Sequence, residues 1–173
     1  MSQKIKVAVV GASGYSGREL LRLLLLHPNA ELVAVTSRAL AGKPLVAEFP
    51  RFRAIAQAEA LSFVAPDIAN IVASGAQVAF LALPHGVAHE FAKPLLEAGL
   101  RVIDLSADFR LRDAAVYAEF YGHVHPSPEL LAEAVYALPE IKGDEVVRAR
   151  IIACPGSIQR VCWCRSSHCC VPV

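Results

Sequence analysis

Nowhere in these 173 residues is there an apolar run long enough to cross a bilayer. The most apolar stretch, residues 20–26, is interrupted by Arg22 and closed by His27-Pro28, far short of the roughly 20 apolar residues a spanning helix needs. It reads as a core helix. The opening Met1-Ser2-Gln3-Lys4 has no signal-like apolar region, which predicts a cytoplasmic protein. Charge is also sparse: 19% of residues are charged and the net charge is +1, so no bulk attraction to nucleic acid or to an anionic membrane is expected. Cysteine and tryptophan are missing from the first 153 residues, because all 5 cysteines and the 1 tryptophan lie between Cys154 and Cys170. The first part therefore reads as a thiol-poor cytosolic domain and the end as something different. Internal repeats, low-complexity tracts and metal-ligand spacings are absent before residue 153.

With 55% apolar residues the chain is globular and not disordered. Its 18.5 kDa suits one domain of ordinary size. The organising stretch is residues 4–17, where a β-branched run at residues 7–10 leads into Gly11, Gly14 and Gly17 and then a helix over residues 14–26. A nearly all-apolar run of this kind predicts a parallel strand covered on both faces. Glycines at this spacing allow a tight turn, close approach of a pyrophosphate, and close helix packing. The free N–H groups and dipole at the start of the helix favour an anion. Glycines alone also make a turn with no ligand; their position between strand and amphipathic helix points to dinucleotide binding. In that helix Leu20, Leu21, Leu24 and Leu25 face the sheet, Arg18, Glu19 and Arg22 face outward, and Pro28 ends it. Residues 31–35 complete a right-handed βαβ unit.

An acidic residue about 20 positions past the glycines would bind the ribose 2′-hydroxyl of NAD, and none is present. Thr36-Ser37-Arg38 stands there instead. Two hydroxyls and a guanidinium suit a 2′-phosphate, each charge-assisted bond contributing roughly 1.5–3 kcal/mol; a solvated turn with a surface arginine is the other reading. Residues 39–60, with Gly42, Pro44 and Pro50, read as an irregular segment over the adenine end. A strand is expected at residues 61–64, a helix over 66–74 begun by Pro66 and stopped by Gly75, and a buried strand over 78–83 leading into Pro84-His85-Gly86. The next helix, residues 87–97 with Gly99 as its cap, should be kinked or split by Pro94. A short strand over 101–104, a loop over 117–126, a serine-capped helix from Ser127-Pro128-Glu129, a polar link after residues 136–140, and a last strand over 150–153 follow. The fold class is α/β, a Rossmann-type doubly wound, mostly parallel sheet. Among the histidines, His27 reads as a helix-end residue, His85 and His89 flank a helix start, and His123 and His125 sit in a loop; all read as structural or solvated, with His85 the best candidate for a cofactor contact.

Taken together and in order, certain segments resemble the N-acetyl-γ-glutamyl-phosphate reductase family, NADPH-dependent enzymes of arginine biosynthesis. These are Gly11-Ala12-Ser13-Gly14-Tyr15-Ser16-Gly17, Thr36-Ser37-Arg38, Leu83-Pro84-His85-Gly86, Asp104-Leu105-Ser106-Ala107-Asp108-Phe109-Arg110-Leu111, Leu138-Pro139-Glu140 and Ala153-Cys154-Pro155-Gly156. The resemblance covers residues 4–156, and the glycine triplet is shared with aspartate-semialdehyde dehydrogenase. It implies reduction of an acyl phosphate to an aldehyde, in which a cysteine thiolate attacks the acyl carbon, phosphate leaves, and hydride from NADPH reduces the thioester. It also implies that Gly11, Ser13, Gly14, Tyr15, Ser16 and Gly17 hold the pyrophosphate, that Ser37 and Arg38 hold the 2′-phosphate, and that Pro84 and His85 border the nicotinamide side. Ser106 and Arg110 would lie near the crevice, with Arg110 binding substrate phosphate or pairing with Asp108 or Asp104. Related reductases of aspartyl or aminoadipyl phosphates are alternative substrate assignments, the segment 104–111 arguing against the aspartyl one.

The resemblance fails after Gly156. The family follows Pro-Gly with the nucleophile in Cys-Tyr-Pro-Thr and then a second domain, whereas here Ser157-Ile158-Gln159 and a Cys-rich end follow. The expectation is an NADP(H)-binding domain over residues 1–153, a divergent, frameshifted tail over 154–173, and no catalytic residue. The second domain would then be largely absent, leaving exposed apolar surface through which the chain self-associates. Two alternatives attach to the tail: a zinc site from Cys162, Cys164, His168, Cys169 and Cys170, and Cys154 or Ser157 as a substitute nucleophile. A non-catalytic NADP- or partner-binding protein is the other functional reading.

Overall fold

The computed structural model describes residues 3–156. They form a sheet of seven parallel strands, β1 (Ile5–Val10), β2 (Ala30–Thr36), β3 (Phe63–Val64), β4 (Val78–Leu81), β5 (Arg101–Asp104), β6 (Val135–Tyr136) and β7 (Ile151–Ala153), in the order β3-β2-β1-β4-β5-β7-β6. The order reverses between β1 and β4, the switch point at which open α/β sheets bind ligands. Register makes this concrete. Val10 pairs with both Thr36 and Leu81, Leu81 with Asp104, and Asp104 with Ala153. The loops beginning at Gly11, Ser37, Ala82, Leu105 and Cys154 therefore leave one edge of the sheet side by side.

β1 is apolar on both faces because both are covered. Ala8 and Val10 join a cluster with Leu81, Phe91, Leu95, Val102, Tyr117 and Ile151, while Val7 and Val9 join Leu21, Leu25, Val35, Phe49, Phe52 and Phe63 on the other side. The first cluster is closed by α5 (Ala88–Glu97), α6 (Ala114–Tyr121) and α7 (Pro128–Glu133); the second by α1 (Tyr15–Leu25), which buries Gly17, Leu21 and Leu25. This is the doubly wound Rossmann arrangement expected.

Several local expectations are corrected. Residues 39–60 are not an irregular cover: they hold two helical turns, α2 (Leu45–Glu48) and α3 (Ala56–Glu59), with a 3₁₀ turn (Pro50–Phe52) between them. Leu45, Phe49, Phe52 and Ala58 are buried there, so burial orders a stretch with no helical period of its own. The helix expected to begin at Pro66 is α4 (Ile68–Ala73), capped by the Asp67 side chain, which accepts from the Ala69 N–H at 2.9 Å. Pro94 does not split α5, which runs through it as one helix. Phe91, Ala92, Leu95 and Leu96 bury on both sides of the proline, and that packing outweighs one missing backbone bond. Residues 117–121 are helix and not loop: α6 opens at Asp113, whose carboxylate accepts from the N–H groups of Ala115 and Val116, and ends at left-handed Gly122. Ser127 precedes α7, but its hydroxyl makes no capping bond; its backbone N–H donates to His125 Nδ1. The polar link after residue 140 is α8 (Pro139–Arg148), bent at Lys142 and without a buried residue. The strand expected last, over residues 150–153, is β7, the last described in chain order, and in the sheet it lies between β5 and β6.

No helix among the described residues is long and apolar enough to cross a membrane. The divergent tail expected beyond Gly156, with Ser157 and the alternative zinc ligands Cys162, Cys164, His168, Cys169 and Cys170, lies outside the described residues; among the described residues no group of three or more His, Cys, Asp and Glu could hold a metal ion.

Candidate functional site

The first turn of α1 is built to leave donors open. Gly11 sits at φ +84°, where a Cβ would overlap the Ala82 carbonyl oxygen, and a Cβ on Gly17 would overlap Gly11 and Ala12. Both glycines are thus required by close backbone approach, the first of strand to strand-end loop and the second of helix to turn. The Ala12 N–H donates to the Thr36 carbonyl at 2.9 Å and the Gly11 N–H to Thr36 Oγ1 at 3.3 Å, which ties the turn to the end of β2. Gly14 is the N-cap and offers no side chain to α1. The N–H groups of Tyr15, Ser16 and Gly17 have no acceptor among the described residues. Three open N–H groups at the positive end of a helix form an anion site.

Beside the turn, Ser13 and Ser37 bring their hydroxyls to 2.9 Å. Ser37 is buried while Arg38 is exposed, its guanidinium making no hydrogen bond or ion pair among the described residues. These groups form one wall of a cleft of about 220 Å³; Pro66, Leu83, Pro84, Val87 and Phe91 form the rest. One side is polar and cationic and the other flat and apolar, the arrangement a phosphorylated nucleoside needs.

Across the switch point, the loop after β5 fixes the loop after β4. The Asp104 carboxylate accepts from the Ser106 N–H at 3.0 Å and from Ser106 Oγ at 2.8 Å, and Ser106 Oγ in turn accepts from the Asp108 N–H at 3.1 Å. Asp108, also buried, accepts from the N–H groups of Gly86 at 2.7 Å and Ala88 at 2.9 Å, which caps the start of α5. The Ala107 N–H donates to His85 Nδ1 at 3.0 Å. Burial pushes the Asp104 carboxyl up to about 6 against the lowering effect of its bonds to Ser106. Arg110 pairs with neither aspartate: its Nε donates to the Cys154 carbonyl at 2.9 Å and its Nη2 to the Leu105 carbonyl at 3.2 Å, so it ties the ends of β5 and β7 together.

The family model for the semialdehyde dehydrogenase, NAD binding domain, matches residues 6–149. The chain belongs to this family. Within it, the chain is 56% identical over 154 residues to N-acetyl-gamma-glutamyl-phosphate reductase of Akkermansia muciniphila, covering 89% of this chain and 44% of that protein. It is 51% identical to the reductase of the same name from Pseudomonas fluorescens (strain Pf0-1), covering 88% of this chain and 43% of the relative. The chain thus spans less than half the length of these curated relatives. Among solved structures, aspartate semialdehyde dehydrogenase II from Vibrio cholerae superposes with a TM-score of 0.60 at 22% identity, covering 89% of this chain and 42% of that one. The Candida albicans aspartate semialdehyde dehydrogenase with NADP gives 0.58 at 20% identity, covering 87% and 42%. Both likenesses show the fold.

In this semialdehyde dehydrogenase domain, the expected cofactor residues Gly11, Ser13, Ser37, Arg38 and Pro84 share one cleft. Gly14, Ser16 and Gly17 form the adjoining helix start. The Tyr15 ring is 95% exposed and belongs to a separate surface hollow with Arg18, Glu19 and Arg51. His85 lies beyond Pro84 on the β5 side and does not line the cleft. No residue of the segment 39–60 lines it either. Pro66, Leu83, Val87 and Phe91 went unnoticed as lining residues because apolar side chains after strands carry no motif; Val87 and Phe91, four apart at the start of a helix, were the available signal. Among the described residues, the remaining histidines make contacts within the protein. His125 is buried, with its ring against Phe109, Tyr117 and His89, and burial lowers its pKa below the usual value. The His123 ring packs edge-on against Tyr117, and His27 Nδ1 accepts from the Asn29 N–H.

Proposed function

We propose that this chain is the NADP(H)-binding portion of a cytoplasmic N-acetyl-γ-glutamyl-phosphate reductase, the oxidoreductase that reduces N-acetyl-glutamyl 5-phosphate to the 5-semialdehyde. The observation that carries the cofactor reading is the cleft in which the Ser13–Ser37 hydroxyl pair and an unengaged Arg38 adjoin the three open N–H groups of α1. The pyrophosphate would rest on the N–H groups of Tyr15, Ser16 and Gly17, the 2′-phosphate would take Ser37 and Arg38, and the adenine ring would lie against Pro66, Val87 and Phe91. When bound, the cofactor supplies the hydride.

Identity near half to the acetylglutamyl-phosphate reductases, against 20–22% to the aspartate enzymes of similar fold, supports the substrate class. The sequence after Gly156 contains no Cys-Tyr-Pro-Thr segment. The backbone bonds of Cys154 to Asp104 and Arg110, at the end of β7 and ahead of the Pro-Gly turn, support reading it as a strand-end residue and not as a replacement thiol. We therefore expect binding without turnover. Titration calorimetry should show micromolar NADP binding, and an assay with N-acetylglutamate semialdehyde, phosphate and NADP should show no reduction of the cofactor. Absence of binding would remove the reading, and appreciable turnover would remove its inactive part.

A further inference from the structure

We propose that the hollow formed by Tyr15, Arg18, Glu19 and Arg51 is a second binding site, for a phosphorylated small molecule that carries a planar ring. It is a recess of about 370 Å³, and none of the residues lining it lines the cofactor cleft. Only the turn between them is shared. The Ser13 hydroxyl meets Ser37 at the cleft, while the Ser13 carbonyl accepts from Arg18 Nε at 3.2 Å.

Both guanidiniums are held in place without spending a carboxylate. Arg18 lies over the Phe49 ring at 5.4 Å and Arg51 over the Phe52 ring at 4.7 Å, and Arg51 Nη2 donates to the Arg18 carbonyl at 3.2 Å. Both rings are buried and so fixed in turn. Neither arginine has an ion-pair partner among the described residues, and the Nη groups of Arg18 and the Nε and Nη1 groups of Arg51 have no acceptor there. The carboxylate of the recess, Glu19, is already occupied: it accepts from Arg22 Nε at 2.9 Å and from Arg22 Nη2 at 2.5 Å. Two ordered, unneutralised guanidiniums match the oxygens of a phosphate dianion. Beside them the Tyr15 ring is 95% exposed, with no ring contact among the described residues, and an open aromatic face stacks a planar group. Phosphate on the arginines and ring on Tyr15 describe a ligand such as a nucleoside monophosphate.

NMR titration of the isotope-labelled full chain, with the cofactor cleft saturated by NADP⁺, tests this with AMP, inorganic phosphate and adenosine as probes. The expected result is saturable shifts at the Arg18 and Arg51 Nε–H groups and the Tyr15 ring, with AMP about tenfold tighter than phosphate and adenosine weaker than both. Arg51 is exposed, and Arg51→Ala should weaken AMP and phosphate by about tenfold or more while NADP⁺ affinity stays within about twofold. Displacement of NADP⁺ by AMP, equal AMP affinity in parent and Arg51→Ala, or no saturable shift up to about 10 mM would overturn the site. Phosphate binding as tightly as AMP would overturn the stacked ring. The site does not depend on the cofactor reading: a chain that fails to bind NADP⁺ would remove that reading, and the AMP titration repeated without cofactor would still decide the hollow through its dependence on Arg51.

Discussion

Asp104 shows how one side chain can be committed to geometry at a cost in stability. It is fully buried at the C-terminal end of β5 and accepts twice from Ser106. Desolvation nevertheless dominates, and the carboxyl rises from 3.8 to about 6. A raised carboxyl pKa means the folded state holds the proton more tightly than the unfolded chain does, so this group's contribution to stability declines as pH rises from about 4 through about 6. The decline is on the order of 3 kcal/mol for a shift of this size. His125 acts in the opposite sense: burial lowers its pKa, so its neutral form favours folding above the usual value of about 6.5 and that contribution is lost as pH falls. Comparing parent with Asp104→Asn cancels the histidine. Urea unfolding between pH 4 and 7 should show the parent losing stability relative to the variant as pH rises; a constant difference across that range would contradict the assignment.

At the scale of elements, α6 illustrates a helix made by its ends and one anchor. Its outer face is apolar and exposed, with Phe120 at 74% and Val116 at 37%, so no amphipathic pattern marks it. Asp113 and Gly122 cap it, and Tyr117 enters the core against His125 and Tyr121, with ring centroids at 4.8 and 4.6 Å. Tyr117→Ala should lower unfolding stability by roughly 3–5 kcal/mol, whereas Tyr117→Phe should stay within about 1 kcal/mol, because the hydroxyl makes only a 3.5 Å contact with His123. Thermal and denaturant unfolding of the two variants measures this, and similar losses in both would mean that the hydroxyl is the anchor. The same element explains an expectation that failed. Residues 117–126 carry two tyrosines and two histidines with no period, and the N-cap residue Asp113, four positions ahead of them, holds the information together with Gly122.

For the molecule as a whole, the consequence of the cleft is cofactor choice. Arg38 is exposed and unengaged among the described residues, so its removal should hardly disturb folding. Arg38→Ala should reduce NADP affinity by about 10- to 100-fold, in line with the roughly 1.5–3 kcal/mol of a charge-assisted bond, while NAD affinity changes little. Saturation should also raise the unfolding temperature, since ligand at 100 times its dissociation constant stabilises by about 2.7 kcal/mol. Differential scanning calorimetry with each cofactor tests both points together. Equal stabilisation by NAD and NADP in the parent chain would show that Ser37 and Arg38 do not read the 2′-phosphate.

The fold class and half of the cleft were legible because they depend on neighbours in the chain. A β-branched run followed by Gly11, Gly14 and Gly17 specifies strand, turn and helix within 14 residues, and Thr36-Ser37-Arg38 follows the next strand by the same local logic. The other half required tertiary structure. Asp108 meets Gly86 and Ala88 from 22 and 20 residues away, and Arg110 meets the Cys154 carbonyl from 44. Those separations have no period to detect. Parallel register sets them, placing the ends of β4, β5 and β7 in one row, and so turns a polar run after a short strand into the clamp that fixes His85.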